Sequence, residues 1–233
     1  MKRIGIIGGL GPEATTEYYK QIIGLFNEAN PGGSLNYPEI IIYSVNMSRL
    51  IGYMNTEQYA EAIDYMSSCI GKLEKAGAEF AAISANTPHQ LFYEIQEKSN
   101  IPLISIVDSA RAEAERLSLK RTGLIGTRFT MRASFYADAF AKSGIEIIVP
   151  SSDEIKIIDE KLFTEMELGI FKDETRKIIL NIVQRMISDD KIDSLVLGCT
   201  EFPIMFSEEK YLGIPFLNTT RLHVKEIVKR CLN

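Results

Sequence analysis

The chain has 233 residues, 45% of them hydrophobic and 24% charged, a composition that argues against intrinsic disorder, collagen-like repeats and a disulfide scaffold. The net charge of −5 argues against general binding to nucleic acid or anionic membrane, and no apolar run reaches the roughly 20 residues of a membrane helix. Three separated cysteines (Cys69, Cys199, Cys231), no C-x-x-C pair and only two histidines (His89, His223) predict no metal site.

In chain order, Met1-Lys2-Arg3 leads straight into a strand-like run without a long apolar leader, which predicts a cytoplasmic protein. Strand-like segments are Arg3–Ile7, Ile40–Val45, Phe80–Ser84, Leu103–Ile104, Gly123–Ile125, Glu146–Val149, Ser194–Leu197 and Pro215–Leu217. Amphipathic stretches separate them. The clearest is Thr175–Ser188, with Ile178, Ile179, Ile182 and Met186 at helical spacing. Such alternation predicts an α/β fold built on mostly parallel sheets, and the run Ile40-Ile41-Ile42 reads as a strand buried on both faces. Lys225–Arg230 reads as a solvated helix end.

An internal repeat organises these elements. Arg3-Ile4-Gly5-Ile6-Ile7-Gly8 resembles Arg121-Thr122-Gly123-Leu124-Ile125-Gly126, with glycines 118 residues apart (5 and 123, 8 and 126). Tyr19 and Tyr136 follow 117 apart, and Ala85 and Cys199 stand 114 apart. Two copies of one domain are expected: residues 1–112 plus 212–233, and residues 113–211.

Ligands in parallel sheets bind beyond the carboxyl ends of the strands, where four loops stand out. Gly8-Gly9-Leu10-Gly11-Pro12-Glu13-Ala14-Thr15 contains Gly9-x-Gly11-x-x-Ala14, but the second strand ends Tyr43-Ser44-Val45-Asn46, without the acidic residue a dinucleotide ribose requires. The others are Ser84-Ala85-Asn86-Thr87-Pro88-His89, Gly126-Thr127-Arg128-Phe129-Thr130 and Gly198-Cys199-Thr200-Glu201. Asn86, Thr87, Thr127, Thr130 and Thr200 offer donors suited to a small oxygenated anion, although Thr and Asn also serve as plain helix caps. Cys199 stands where a helix N-terminus favours thiolate and burial opposes it. Cys69 and Cys231 read as packing residues, and each histidine as a structural hydrogen-bonder.

Together, these four loops resemble the aspartate/glutamate racemases of the Asp/Glu/hydantoin racemase superfamily over nearly the whole chain. The resemblance implies two pseudo-symmetric Rossmann-like lobes, each a mostly parallel sheet flanked by helices, with the active site between them. It implies a cofactor-independent homodimer in which two cysteines flank the substrate α-carbon, one removing the α-proton and the other returning one to the opposite face. Cys199 would be the retained acid/base. Substrate contacts would come from Gly9, Leu10, Met47, Arg49, Asn86, Thr87, Thr127, Thr130, Thr200 and Glu201, with Arg49 near a distal carboxylate.

Two positions depart from that pattern. Ala85 replaces the first cysteine, and a methyl group carries no proton. Glu167, two residues before Gly169, stands where some racemases have lysine. Ala85 fits a divergent branch, an introduced Cys→Ala change, or a protein that binds a small carboxylate without turning it over. A one-cysteine decarboxylase of malonate-type substrates is a further reading, because a single acid suffices there.

Overall fold

The computed structural model describes residues 1–29 and 35–233, and the chain divides into two units: Met1–Ile106 with His223–Asn233, and Val107–Leu222. In the first unit, β1 (Ile4–Gly8) leads to α1 (Pro12–Ala29), then β2 (Ile40–Ser44), α2 (Met47–Asn55), α3 (Tyr59–Lys75) and β3 (Phe80–Ile83). A 3-10 turn (Thr87–Leu91), α4 (Phe92–Glu97) and β4 (Leu103–Ile104) follow, and α5 (Ile106–Arg116) starts at the unit's last residue. The sheet order is β2-β1-β3-β4, all parallel.

The second unit runs β5 (Arg121–Gly126), α6 (Arg128–Arg132), α7 (Phe135–Ala141), β6 (Glu146–Ile148), α8 (Ser152–Thr164), a 3-10 turn (Met166–Leu168) and α9 (Asp173–Ser188). It continues through β7 (Ser194–Gly198), α10 (Phe202–Met205), β8 (Lys210–Tyr211), β9 (Ile214–Asn218) and α11 (Thr219–Leu232), whose residues from His223 onward belong to the first unit. Its sheet order is β6-β5-β7-β9-β8. Apart from antiparallel β8, this repeats the first sheet strand for strand, as the spaced glycines predict.

Three expectations are corrected. β9 pairs with β7, so the segment after Leu212 stays with the second sheet and the chain rejoins the first unit at His223. The first seam lies at residues 106/107 rather than 112/113. Sequence similarity marks the repeated strands but says nothing about which sheet a late strand extends. The third concerns β2, which among the described residues is an edge strand bonded only to β1, with Ile42 42% exposed. Its isoleucines reflect β propensity rather than burial on both faces.

The first core gathers Ile4, Ile6 and Phe80 from the sheet, Tyr18, Ile22 and Phe26 at four-residue spacing on α1, and Val224, Ile227 and Cys231 from α11. Each large apolar side chain so buried contributes about 1.5–3 kcal/mol. The second core packs Ile155, Ile158 and Leu162 of α8 and Ile179, Ile182 and Met186 of α9 against Ile125, Leu195 and Leu197. Among the described residues, no helix is long and apolar enough to cross a membrane.

Candidate active site

In the first unit, the loop after β1 closes on itself. Gly9 has φ +82°, and a Cβ there would lie 2.6 Å from the Val45 carbonyl oxygen, so only glycine fits. Its N–H donates to the Thr15 hydroxyl at 2.8 Å, while Leu10 is buried beside it. The dinucleotide-like spacing therefore serves a turn whose first donor is already engaged.

After β3, Ser84, Ala85 and Asn86 are buried. The Ser84 hydroxyl donates to the Ile7 carbonyl at 3.0 Å. His89 Nδ1 lies 2.8 Å from the Ala85 carbonyl and Nε2 accepts from the Ile106 N–H at 3.2 Å, so the proton sits on Nδ1. The ring stacks on Phe92, and burial lowers its pKa to about 4. His223 is likewise neutral: Nε2 lies 2.8 Å from the Ile104 carbonyl, the Tyr18 hydroxyl lies 2.8 Å from Nδ1, and burial lowers its pKa to about 3. Both histidines are structural, as their helical settings predict.

Arg49 and Met47 lie in the first turn of α2, which Asn46 caps by accepting from the Arg49 N–H at 3.0 Å. The exposed Arg49 guanidinium is 4.6 Å from the Tyr65 ring, and its Nε donates to the Tyr53 hydroxyl at 3.0 Å. Tyrosines therefore engage the cation expected for a distal carboxylate. Cys69 on α3 is buried, and Cys231 donates to the Lys2 carbonyl at 3.2 Å, so both serve packing.

In the second unit, Gly126 and Gly198 are paired at the ends of β5 and β7. A Cβ on Gly126 would lie 2.9 Å from the Gly198 carbonyl, and one on Gly198 would lie 2.9 Å from the Ile125 carbonyl. Thr130 packs into the space these glycines leave, and Thr127 caps α6 by accepting from the Thr130 N–H at 3.3 Å. The capping role foreseen here is therefore real for Thr127, and Thr130 packs beside Gly198, the residue before Cys199.

Cys199 follows directly and is buried. Its thiol donates to Glu201 Oε2 at 2.8 Å, and Glu167 Oε1 lies 3.9 Å from the same sulfur. The Thr200 hydroxyl reaches both Glu201 oxygens, at 3.0 and 3.1 Å. Burial, then the charges of Glu201 and Glu167, push the Cys199 thiol well above its ordinary pKa. The opposed effects weighed at this position thus resolve towards thiol: α10 is one four-residue turn, too weak a dipole to offset burial and two carboxylates.

Glu167 is the site residue that pattern reasoning did not select. Burial and the nearby Glu201 charge raise its pKa to about 7. It occupies the 3-10 turn before Gly169, whose φ is +74°. The only sequence signal was its own departure from lysine. The sulfur and one oxygen of each carboxylate lie within 4.8 Å of one another. With the thiol proton held between Cys199 and Glu201, this cluster can hold, give and take protons near neutral pH.

Comparison with known proteins agrees with this reading of the fold. The sequence profile described as Asp/Glu/hydantoin racemase matches residues 7–227. The chain is 30% identical over 156 residues to the broad specificity amino-acid racemase of Bacillus subtilis, covering 62% of this chain and 63% of that protein. It is 27% identical over 154 residues to the glutamate racemase of Aquifex pyrophilus, covering 65% of this chain and 58% of that protein. Both matches thus span less than two thirds of the relative's length. A crystal structure of an aspartate racemase homologue from Pyrococcus horikoshii OT3 matches with a TM-score of 0.83 at 30% identity, over 100% of each chain.

Proposed function

The chain belongs to the Asp/Glu/hydantoin racemase family, and from that premise we propose that it is a cofactor-independent amino-acid racemase, acting on aspartate- or glutamate-like substrates, with Cys199 as acid/base. The observation that carries the proposal is the buried Cys199 thiol donating to Glu201 at 2.8 Å with Glu167 3.9 Å away. Before it can remove an α-proton, the thiol must lose its own, and the adjacent carboxylate is the acceptor within reach. Cys199 then takes the α-proton as thiolate and returns a proton as thiol. The α-proton beside an ionised carboxylate is very weakly acidic, so donors must stabilise the enediolate-like charge as it develops. The reading assigns this to side chains of the loops beyond the strands: Asn86 and Thr87 in the first unit, Thr127 and Thr130 in the second. Gly9, Leu10, Met47, Arg49, Thr200 and Glu201 remain its other proposed substrate-binding residues, and a homodimer its proposed assembly.

Ala85 shapes the expected stereochemistry. A methyl group neither gives nor takes a proton, so Cys199 acting alone exchanges the α-proton of one enantiomer with retention. Inversion requires a second proton carrier. Proton NMR in D2O with each enantiomer of aspartate and glutamate, followed by chiral analysis, tests this. Exchange of at least one enantiomer is expected, and no exchange with any of the four overturns the assignment.

A single acid also suits decarboxylation of a malonate-type substrate, the reading Ala85 favours. Against it, a malonate dianion would approach two carboxylates, Glu201 and Glu167, whereas the ammonium group of an amino acid is attracted to them. A protein that only binds small carboxylates would show no turnover and unchanged affinity on Cys199→Ser.

A further inference from the structure

A second acidic residue of the same segment plays no part in the chemistry above, yet its surface is almost fully covered. Glu165 closes the end of α8 and is only 6% exposed. Its Oε1 accepts from Lys161 Nζ at 2.9 Å and from Lys172 Nζ at 3.2 Å, and its Oε2 accepts from the Thr175 hydroxyl. These donors belong to α8, to the residue preceding α9, and to the first turn of α9. One carboxylate therefore bridges the two helices that flank the 3-10 turn.

The backbone closes on the same residue. The Glu165 carbonyl accepts from the N–H groups of Leu168 and Ile170, each at 3.0 Å, and the Gly169 N–H donates to the Met166 carbonyl at 2.9 Å. Met166 is 1% exposed and belongs to the second core. The turn is thus pinned on either side of Glu167: by Met166 in the core and by the bonds of Leu168, Gly169 and Ile170 behind it. A buried carboxylate is a costly way to join two helices unless each of its oxygens is bonded, and here both are.

We propose that Glu165 is a positioning residue: its clamp on Lys161, Lys172 and Thr175 fixes the Met166–Leu168 turn so that the Glu167 carboxylate is held within proton-transfer reach of Cys199. The inference deepens the acid/base reading and rests on it for its catalytic meaning. Cys199 and Glu201, both from the β7 end, are the titratable groups that act on Glu167. Lys161 and Lys172 are paired with Glu165. Loosening the clamp takes a negative neighbour away from the Cys199 sulfur, which eases thiolate formation.

The test follows the rate of Cys199 alkylation by iodoacetamide against pH, read at the peptide by mass spectrometry. It needs no substrate, so it stands or falls apart from the racemase assignment. Glu167→Gln should lower the midpoint by about 1 pH unit. Glu165→Gln should lower it in the same direction, and the double variant should shift no further than Glu167→Gln alone, because both act through one contact. A change in accessibility alone would alter the rate at every pH and leave the midpoint in place. Should Glu165→Gln not fold, Lys172→Met removes the most exposed arm of the clamp and should give a smaller shift of the same sign, which Lys172→Arg should largely reverse. A parental midpoint in the folded clamp variant, or additive shifts in the double variant, would overturn the proposal.

Discussion

The loop after β3 and the loop after β7 occupy equivalent places in two sheets of the same order, yet their proton inventories differ. In the first, Ala85 contributes a methyl group, and the histidine four residues later is neutral, its ring nitrogens bonded to the Ala85 carbonyl and the Ile106 N–H. In the second, the equivalent residue is Cys199, flanked by one carboxylate that accepts its proton and another poised near neutrality. The two sheets share a strand order although different side chains stand at these tips. The strand order is duplicated, while the cluster of one thiol and two carboxylates stands in one copy. The residues just before the tips differ as well: Ser84 has room for a side chain that bonds the Ile7 carbonyl, whereas Gly198 does not.

Four substitutions and one titration would break or sharpen this contrast. Cys199→Ala should reduce α-proton exchange by at least about 1,000-fold, measured by NMR in D2O; residual exchange near the parental rate would remove the second loop from the chemistry. The next effect is on stability. His89 and His223 have pKa values lowered to about 4 and about 3, below the roughly 6.5 of an unfolded chain. Their burial costs no stability above that value. As pH falls below it, the unfolded chain takes up protons first, and stability declines until the folded pKa values are reached. For His89 alone the loss is about 3 kcal/mol, and urea unfolding from pH 7.5 to 4 should show it; a flat profile would mean that the first unit's histidines are not held neutral. Gly198→Ala should destabilise by about 1–3 kcal/mol, since its Cβ would meet a backbone carbonyl, whereas Ser84→Ala should lose only the ~1 kcal/mol of one buried hydrogen bond. Thermal unfolding of the two variants compares the strand ends directly. A gain rather than a loss is expected of Ala85→Cys, which supplies the second proton carrier and should raise the rate of inversion at least about 100-fold, read by chiral chromatography. An unchanged rate would show that residue 85 does not reach the reacting carbon.

Much of this contrast can be read before any coordinates. Paired glycines at 118-residue spacing mark β1 and β5, and the strand-ending loops follow from the alternation of branched and amphipathic runs. Cys199 at a strand end is equally legible, because a thiol after a glycine at the close of a β run is a local pattern. Three features escape for physical reasons. β9 joins the second sheet through pairing with β7, a long-range choice that no local propensity encodes. The protonation of Cys199 depends first on burial, then on the charges of Glu201 and of Glu167, 32 residues earlier (167 and 199), so a helix-terminus argument taken alone has the wrong sign. Finally, Glu165 and Glu167 look alike in the run Glu165-Met166-Glu167, and only the turn sends one to a clamp and the other to the sulfur.

The two bonded histidines also bear on how the molecule carries charge. Neither imidazole charges or discharges between pH 5 and 8, so the ordinary histidine buffering of a protein is absent over that range. Near neutrality the raised Glu167 carboxyl changes charge where the histidines do not. Ligands that carry an ammonium group should favour its ionised form and register as proton release when they bind.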